Sequence, residues 1–176
     1  MIHDSMRTET PIALGHVDEP GRHVSTMPGR TPDFVRQVAG YGMPVILEER
    51  EDGSLLVLIQ GQGKAHINEI KDAREPYLVV DAEPLAEIKV LDPAASATVG
   101  ELRRMLFGWI MRHVPDTSQQ QHFIESVKSP EEVLGCLASF MVRDADMQQY
   151  LLEESEIRVK SDILRRLVQS SEFRSA

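Results

Sequence analysis

The feature that most constrains the fold is a series of short apolar segments, separated by turn residues, in the first half of the chain. Short strands with such boundaries are typical of an antiparallel sheet. Four strands are predicted: Met43–Leu47, Leu55–Gln60, Ala65–Ile70 and Tyr77–Val80. The first two should form a hairpin, because Asp52-Gly53 between them is a strong signal for a tight turn. This sheet is the core beside which the rest of the chain is expected to pack.

The second of these strands is apolar at every position from Leu55 to Ile59, without the alternation of a half-exposed strand. Such a run favours a strand that is buried on both faces, and a segment of a buried helix is the alternative. The short length and the boundaries at Gly53 and Gly61 favour the strand. We therefore expect Leu58 to be fully buried.

The chain after Pro93 has the apolar spacing of helices. Thr98-Val99-Gly100-Glu101 matches a capping box, and predicts a helix that begins there and ends before Pro115. Further helices are predicted over Ser118–Val127, from Ser129, over Asp144–Glu153 and from Ser155. Several amphipathic helices with short connections predict a small bundle, with Trp109 and the single cysteine, Cys136, on the packed side.

The residues before the sheet carry weaker signals. Met1–Ser5 is predicted as the end of a helix, Ile12–Leu14 as a strand, and residues 17–33 as a long loop that contains Pro20-Gly21 and Pro28-Gly29. A loop of this length is either a mobile surface segment or a functional one.

The composition argues against several classes of function. The 176 residues carry a formal net charge of −9, whereas binding to phosphates or to anionic membranes requires a basic face. One cysteine excludes an intramolecular disulfide. No apolar run approaches the roughly 20 residues that span a bilayer, and the first residues lack the apolar core of a signal peptide. A cytoplasmic location, away from membranes, is expected.

The sequence lacks the patterns of common catalytic and cofactor sites. There is no Gly-x-x-x-x-Gly-Lys-Ser/Thr phosphate loop and no His-Glu-x-x-His motif, and the six histidines have no metal-ligand spacing. Lys160-Ser161 has the residue types of a Ser-Lys dyad, but adjacent residues of a helix point away from each other. We therefore predict no catalytic, cofactor-binding or metal-binding residue, no cofactor and no enzyme activity.

Two separated stretches resemble the N-terminal, substrate-binding domain of the Lon protease family. In Gly40–Leu85, a Gly-led strand, an Asp-Gly turn and an apolar strand that ends in glycine occur in the order of that domain. Gln149–Glu153, Gln-Tyr-Leu-Leu-Glu, is similar to the family's Gln-x-Leu-Leu-Glu, and a helix with Arg158 and Leu164 follows it. The resemblance implies an α+β fold: a PUA-like β pseudo-barrel over residues 1–92, followed by a C-terminal helical bundle over residues 93–176.

The chain also departs from the family pattern. Lys64-Ala65 stands where the family usually has Arg-Phe, and Pro44 lies inside the Gly-led strand, where it suits only an edge or a bulge. The family's opening strand has no counterpart, and Met1–Met6 resembles the helix that follows that strand. An unpaired sheet edge recruits other strands. The comparison therefore predicts self-association through an exposed edge, or completion by an upstream segment or another polypeptide.

The resemblance implies binding of unfolded or tagged polypeptides by a stand-alone domain without a catalytic site. The expected role is that of an adaptor related to ATP-dependent proteolysis, with an ATP-dependent protease as a further partner. The alternative is an RNA-binding module, because PUA-like barrels bind RNA in other families. That alternative rests on analogy of fold, and the net charge of −9 opposes it. The sequence does not identify the residues that bind polypeptides.

Overall fold

The computed structural model describes residues 1–18, 29–31, 34–71, 75–88 and 92–170. The chain divides into two compact units, Met1–Ala86 and Glu87–Ala176. The first unit is β-rich and the second is helical, which confirms the α+β class. Within the described ranges, none of the helices combines the length and the apolarity that crossing a bilayer requires.

The β-rich unit is an antiparallel sheet preceded by one short helix. Its elements are α1 (Ile2–Thr8), β1 (Ile12–Leu14), β2 (Gly29–Arg30), β3 (Val38–Glu49), β4 (Leu55–Ile70) and β5 (Val80–Leu85). The strand order is β1-β3-β4-β2, and β5 also pairs with β4. The predicted hairpin forms between β3 and β4. Gly53 in its turn has a φ of 80°, a conformation that glycine adopts without steric cost.

Two of the predicted strands are one continuous strand. β4 runs through Gly61-Gln62-Gly63, where the glycines predict a bulge or a turn. The register with β3 shifts at this point, so that Gln62 is an extra residue in a β-bulge. The fourth predicted strand, Tyr77–Val80, is also misplaced, because β5 begins only at Val80. The residues before it form a bend in which Pro76 has no N–H to donate to a ladder.

The expectation of a strand buried on both faces is wrong. The side chains of Leu56 and Leu58 are 46% and 52% exposed, and they alternate with half-buried neighbours. Among the described residues, β1 and β5 pair with the inner parts of β3 and β4, and no third strand pairs with the outer part of the hairpin. The apolar run therefore reflects an apolar face that remains exposed.

Leu58→Ala is expected to lower the free energy of unfolding by less than about 1 kcal/mol, because a half-exposed side chain buries little surface and leaves no cavity. Urea unfolding followed by circular dichroism measures the change. Ile67→Ala in the same strand is the control, because Ile67 is buried and should lose about 2 kcal/mol or more. Equal losses for the two variants would contradict the exposed position of Leu58.

In the part of the chain that the structure describes, the helical unit packs five helices around one apolar core. They are α2 (Pro93–His113), α3 (Thr117–Ser126), α4 (Pro130–Met141), α5 (Ala145–Glu153) and α6 (Ile157–Gln169). Helix α2 packs against both α4 and α6. Trp109 and Cys136 lie against the core, as predicted. Burial, followed by the charge of Glu132, raises the pKa of the Cys136 thiol.

Helix α2 begins earlier than predicted. Its N-cap is Asp92, whose carboxylate accepts a hydrogen bond from the Ala95 N–H at 2.7 Å, and Pro93 occupies the first turn. The expected cap, Thr98, lies inside the helix, where its hydroxyl donates to the Ala94 carbonyl at 3.1 Å. Asp-Pro is the stronger start signal, because aspartate caps helices well and proline suits their first position.

The start of α4 agrees with the sequence. The Ser129 hydroxyl accepts from the Glu132 N–H, and the Glu132 carboxylate accepts from the Ser129 N–H. Hydrogen bonds from the backbone of Ser129 and Lys128 lower the pKa of Glu132, so this cap is ionised at neutral pH. The last helix differs from the prediction: its N-cap is Glu156 and not Ser155, and the Glu156 side chain makes no capping hydrogen bond.

Candidate functional site

A cavity of about 460 Å³ opens in the β-rich unit, with walls from α1, β1, β4 and the segment that leads into β5. Much of its lining is aliphatic: Ile12, Ala13, Val17, Val35, Ile67, Ile70, Leu78, Val79 and Val80. A volume of this size lies in the range of ligand sites, and an apolar lining favours burial of apolar groups.

A bulge in β4 explains how this strand contributes to the cavity. Ile67 and Ile70 are three residues apart, and a regular strand would place them on opposite faces. The register with β5 shifts between Ile67 and Glu69, so Asn68 is an extra residue. The extra residue reverses the alternation. Both isoleucines are therefore buried, and both line the cavity.

One polar side chain in the cavity wall is left without a partner. The side chain of Thr31 lines the cavity and is only 4% exposed. Its Oγ1 atom has no hydrogen-bond partner among the described residues. A buried hydroxyl without a hydrogen-bond partner destabilises the folded protein by roughly 1–3 kcal/mol. A group that enters the cavity and exchanges a hydrogen bond with Thr31 would remove that cost.

The rim of the cavity is charged. Asp4 accepts hydrogen bonds from Arg7 at 3.2 Å and from the Tyr77 hydroxyl at 3.3 Å. Hydrogen bonds from the Met1 ammonium group and from Arg7 lower the pKa of the Asp4 carboxyl. Partial loss of water contact, and then the charges of Asp4 and Glu75, raise the pKa of Tyr77. At neutral pH the rim therefore presents an ionised carboxylate and a neutral phenol that donates to it.

A strand edge lies beside the cavity. Among the described residues, β1 pairs only with β3, from Ile12 opposite Gly42 to Leu14 opposite Gly40. No described strand pairs with its second edge, and Ile12 and Ala13 of the same strand line the cavity. An open edge offers backbone N–H and C=O groups to an added strand. The site can therefore combine backbone pairing with burial of side chains.

The residues of the rejected Ser-Lys dyad have separate partners. Lys160 Nζ lies 2.8 Å from Glu87 Oε1, and the Ser161 hydroxyl donates to the Arg158 carbonyl at 2.8 Å. Both side chains are buried. They cannot act together as nucleophile and base, in agreement with the sequence argument.

The β-rich and helical units together define an α+β protein in which an antiparallel sheet precedes a set of helices. The same fold is found in the N-terminal domain of the Mycobacterium avium complex Lon protease, with a TM-score of 0.61 and 15% identity. The match covers 81% of this chain and 75% of that chain. No protein-family model and no curated protein matches the sequence. The similarity confirms the α+β fold of Lon N-terminal domains that the resemblance implied.

Proposed function

We propose that this chain is a relative of Lon N-terminal domains that binds extended polypeptide segments and has no catalytic site of its own. The observation that carries the proposal is the cavity of about 460 Å³, whose largely aliphatic wall includes the unpartnered Thr31 hydroxyl. The fold supports the same class of function by analogy. Delivery of the bound segments to an ATP-dependent protease, as an adaptor, is the role that this analogy favours.

Two kinds of contact would hold an extended segment. Its backbone pairs with the open edge of β1, which gives affinity without sequence specificity. Its apolar side chains enter the cavity next to Ile12 and Ile70, where each fully buried side chain contributes about 1.5–3 kcal/mol. A backbone carbonyl or amide of the segment exchanges a hydrogen bond with Thr31.

Thr31→Val is expected to have opposite effects on stability and on binding. Valine has nearly the shape of threonine without the hydroxyl, so removal of an unpartnered polar group should leave the free protein equally or more stable. Affinity for polypeptide should fall about 5- to 10-fold, because a hydrogen bond worth about 1 kcal/mol is lost. Fluorescence anisotropy with a labelled, permanently unfolded protein measures the binding, and urea unfolding measures the stability.

Thr98→Val is the matched control. Its hydroxyl already donates to Ala94 within α2, so this change should leave polypeptide affinity unaltered. Ala13→Trp provides a second test, because a large side chain in the cavity wall should exclude the ligand and reduce affinity at least 10-fold. Unchanged affinity in both Thr31→Val and Ala13→Trp would refute the cavity as the site. Tighter binding of an RNA oligonucleotide than of unfolded protein would refute the proposed function.

A further inference from the structure

The outer part of the β3–β4 hairpin, residues 43–60, forms a two-stranded ribbon, called the outer ribbon below. β1 pairs with β3 only at Gly40–Gly42, and β5 pairs with β4 only from Lys64 onward. Within the part of the chain that the structure describes, neither outer edge of this ribbon has a partner strand. An isolated two-stranded hairpin is marginally stable in water. A further strand that paired with the outer ribbon would therefore stabilise it.

One face of the outer ribbon is aliphatic and exposed. Val45 lies opposite Leu58 in the ladder, and Leu56 is two residues away on the same face. Leu47, at a bulge in β3, adds a fourth aliphatic side chain. Val45 is 40% exposed and Leu47 is 59% exposed, similar to the two leucines of β4. Single exposed leucines are ordinary, but a contiguous group of four marks an interaction surface.

The turn beside this face is acidic. Residues 48–52 carry a formal charge of −3, which is the sum of the acidic Glu48, Glu49, Glu51 and Asp52 and the basic Arg50. Arg50 Nε lies 3.2 Å from Glu48 Oε1, so the single cation of this turn already forms an ion pair. Asp52 accepts a hydrogen bond from the Ser54 N–H, and hydrogen bonds from Ser54 lower its pKa. Charge complementarity therefore selects a basic partner and disfavours a second copy of the same acidic turn.

The two edges of the outer ribbon differ in the backbone hydrogen-bond donors that they offer to a further strand. Pro44 lies in the outer part of β3 and has no N–H, so that edge lacks one donor. The outer part of β4, Leu55–Gln60, contains no proline and keeps every donor and acceptor. Strand addition is thus favoured along β4, where side chains of the added strand would lie next to Leu56 and Leu58.

We propose that the outer ribbon docks an extended segment of a partner protein in which aliphatic residues alternate with lysine or arginine. The segment adds as a strand to the edge of β4 and places its aliphatic side chains on the exposed face. Its cations project from the opposite face, and those at the end beside the turn lie near the acidic residues. This surface is separate from the cavity and does not depend on the function proposed for it.

A labelled peptide of four Lys-Val repeats is a direct probe. It should bind at least 10-fold more tightly than the matching Glu-Val peptide at low salt, and high salt should reduce the difference. The same Lys-Val peptide with an N-methyl group on every amide has no N–H to donate along either edge, and its binding should be lost. Equal affinities for the lysine and glutamate peptides, or full binding of the N-methylated peptide, would overturn the proposal.

Variants of the ribbon separate this surface from the cavity. Leu58→Ser should reduce affinity for the Lys-Val peptide about 5-fold or more with only a small change in urea midpoint, because Leu58 is half-exposed. Charge reversal of Glu49 and Glu51 to lysine should remove the preference for the basic peptide. Met111→Ser, at a similarly exposed apolar residue of α2, should leave binding unchanged. Two results would overturn the proposal. In the first, Leu58→Ser changes self-association but not peptide affinity. In the second, Met111→Ser lowers peptide affinity as much as Leu58→Ser does.

Discussion

Leu106→Ala is expected to lower the free energy of unfolding by about 2–5 kcal/mol. Leu106 is fully buried in α2 and belongs to the core of the helical unit. Its neighbours come from several helices whose backbones cannot all move inward, so truncation leaves a cavity as well as a loss of apolar contact. Guanidinium unfolding, followed by circular dichroism and by the fluorescence of Trp109, measures the change.

Met111→Ala is the control in the same helix. Met111 is among the most exposed large apolar residues, and its truncation should change the free energy of unfolding by less than about 0.5 kcal/mol. A small loss for Leu106→Ala would mean that this face of α2 is not packed. Losses of equal size in the two variants would mean that the helix is rotated about its axis.

The buried stripe of α2 could be predicted because it depends on local periodicity. Leu102, Leu106 and Ile110 recur at helical spacing, and all three are buried in the structure. The start of the same helix was missed, because a capping box within the helix competed with the Asp92-Pro93 signal. The apolar periodicity was enough to predict which face of α2 is buried. To predict where α2 begins, one of two local signals had to be chosen.

The burial of the hairpin could not be predicted in the same way. The apolar run around Leu58 is equally compatible with a covered strand and with an exposed apolar face. The difference depends on how far β1 and β5 extend along β3 and β4, and those lengths are set by segments distant in sequence. Nothing within the run itself carries that information.

The cavity also could not be predicted from the sequence. Its walls come from α1, β1, β4 and the segment before β5, which only the folded sheet brings together. Thr31 stands between a short strand and a proline, without a pattern that would identify it as buried. The bulge at Asn68, which turns Ile67 and Ile70 to the same side, has no clear signal in the residue types.

Lys160→Met is expected to lower the free energy of unfolding by about 3 kcal/mol. The Lys160 ammonium group lies 2.8 Å from Glu87, and both side chains are largely removed from water. Methionine keeps much of the length of the side chain, so packing changes little while the positive charge is lost. The Glu87 carboxylate then remains in a poorly hydrated position without this neutralising charge, which is the costly outcome for a buried ion pair.

The measurement is a double-mutant cycle with Glu87→Gln in urea unfolding. Because the double variant removes both charges, it should recover part of the stability that Lys160→Met loses. Arg158→Met is the matched control, since Arg158 is exposed on the same helix and its loss should cost less than about 0.5 kcal/mol. The effect of Lys160→Met should also persist in high salt, because counterions screen buried pairs weakly. A loss that disappears in high salt, or a double variant no more stable than the single one, would show that the pair behaves as a surface contact.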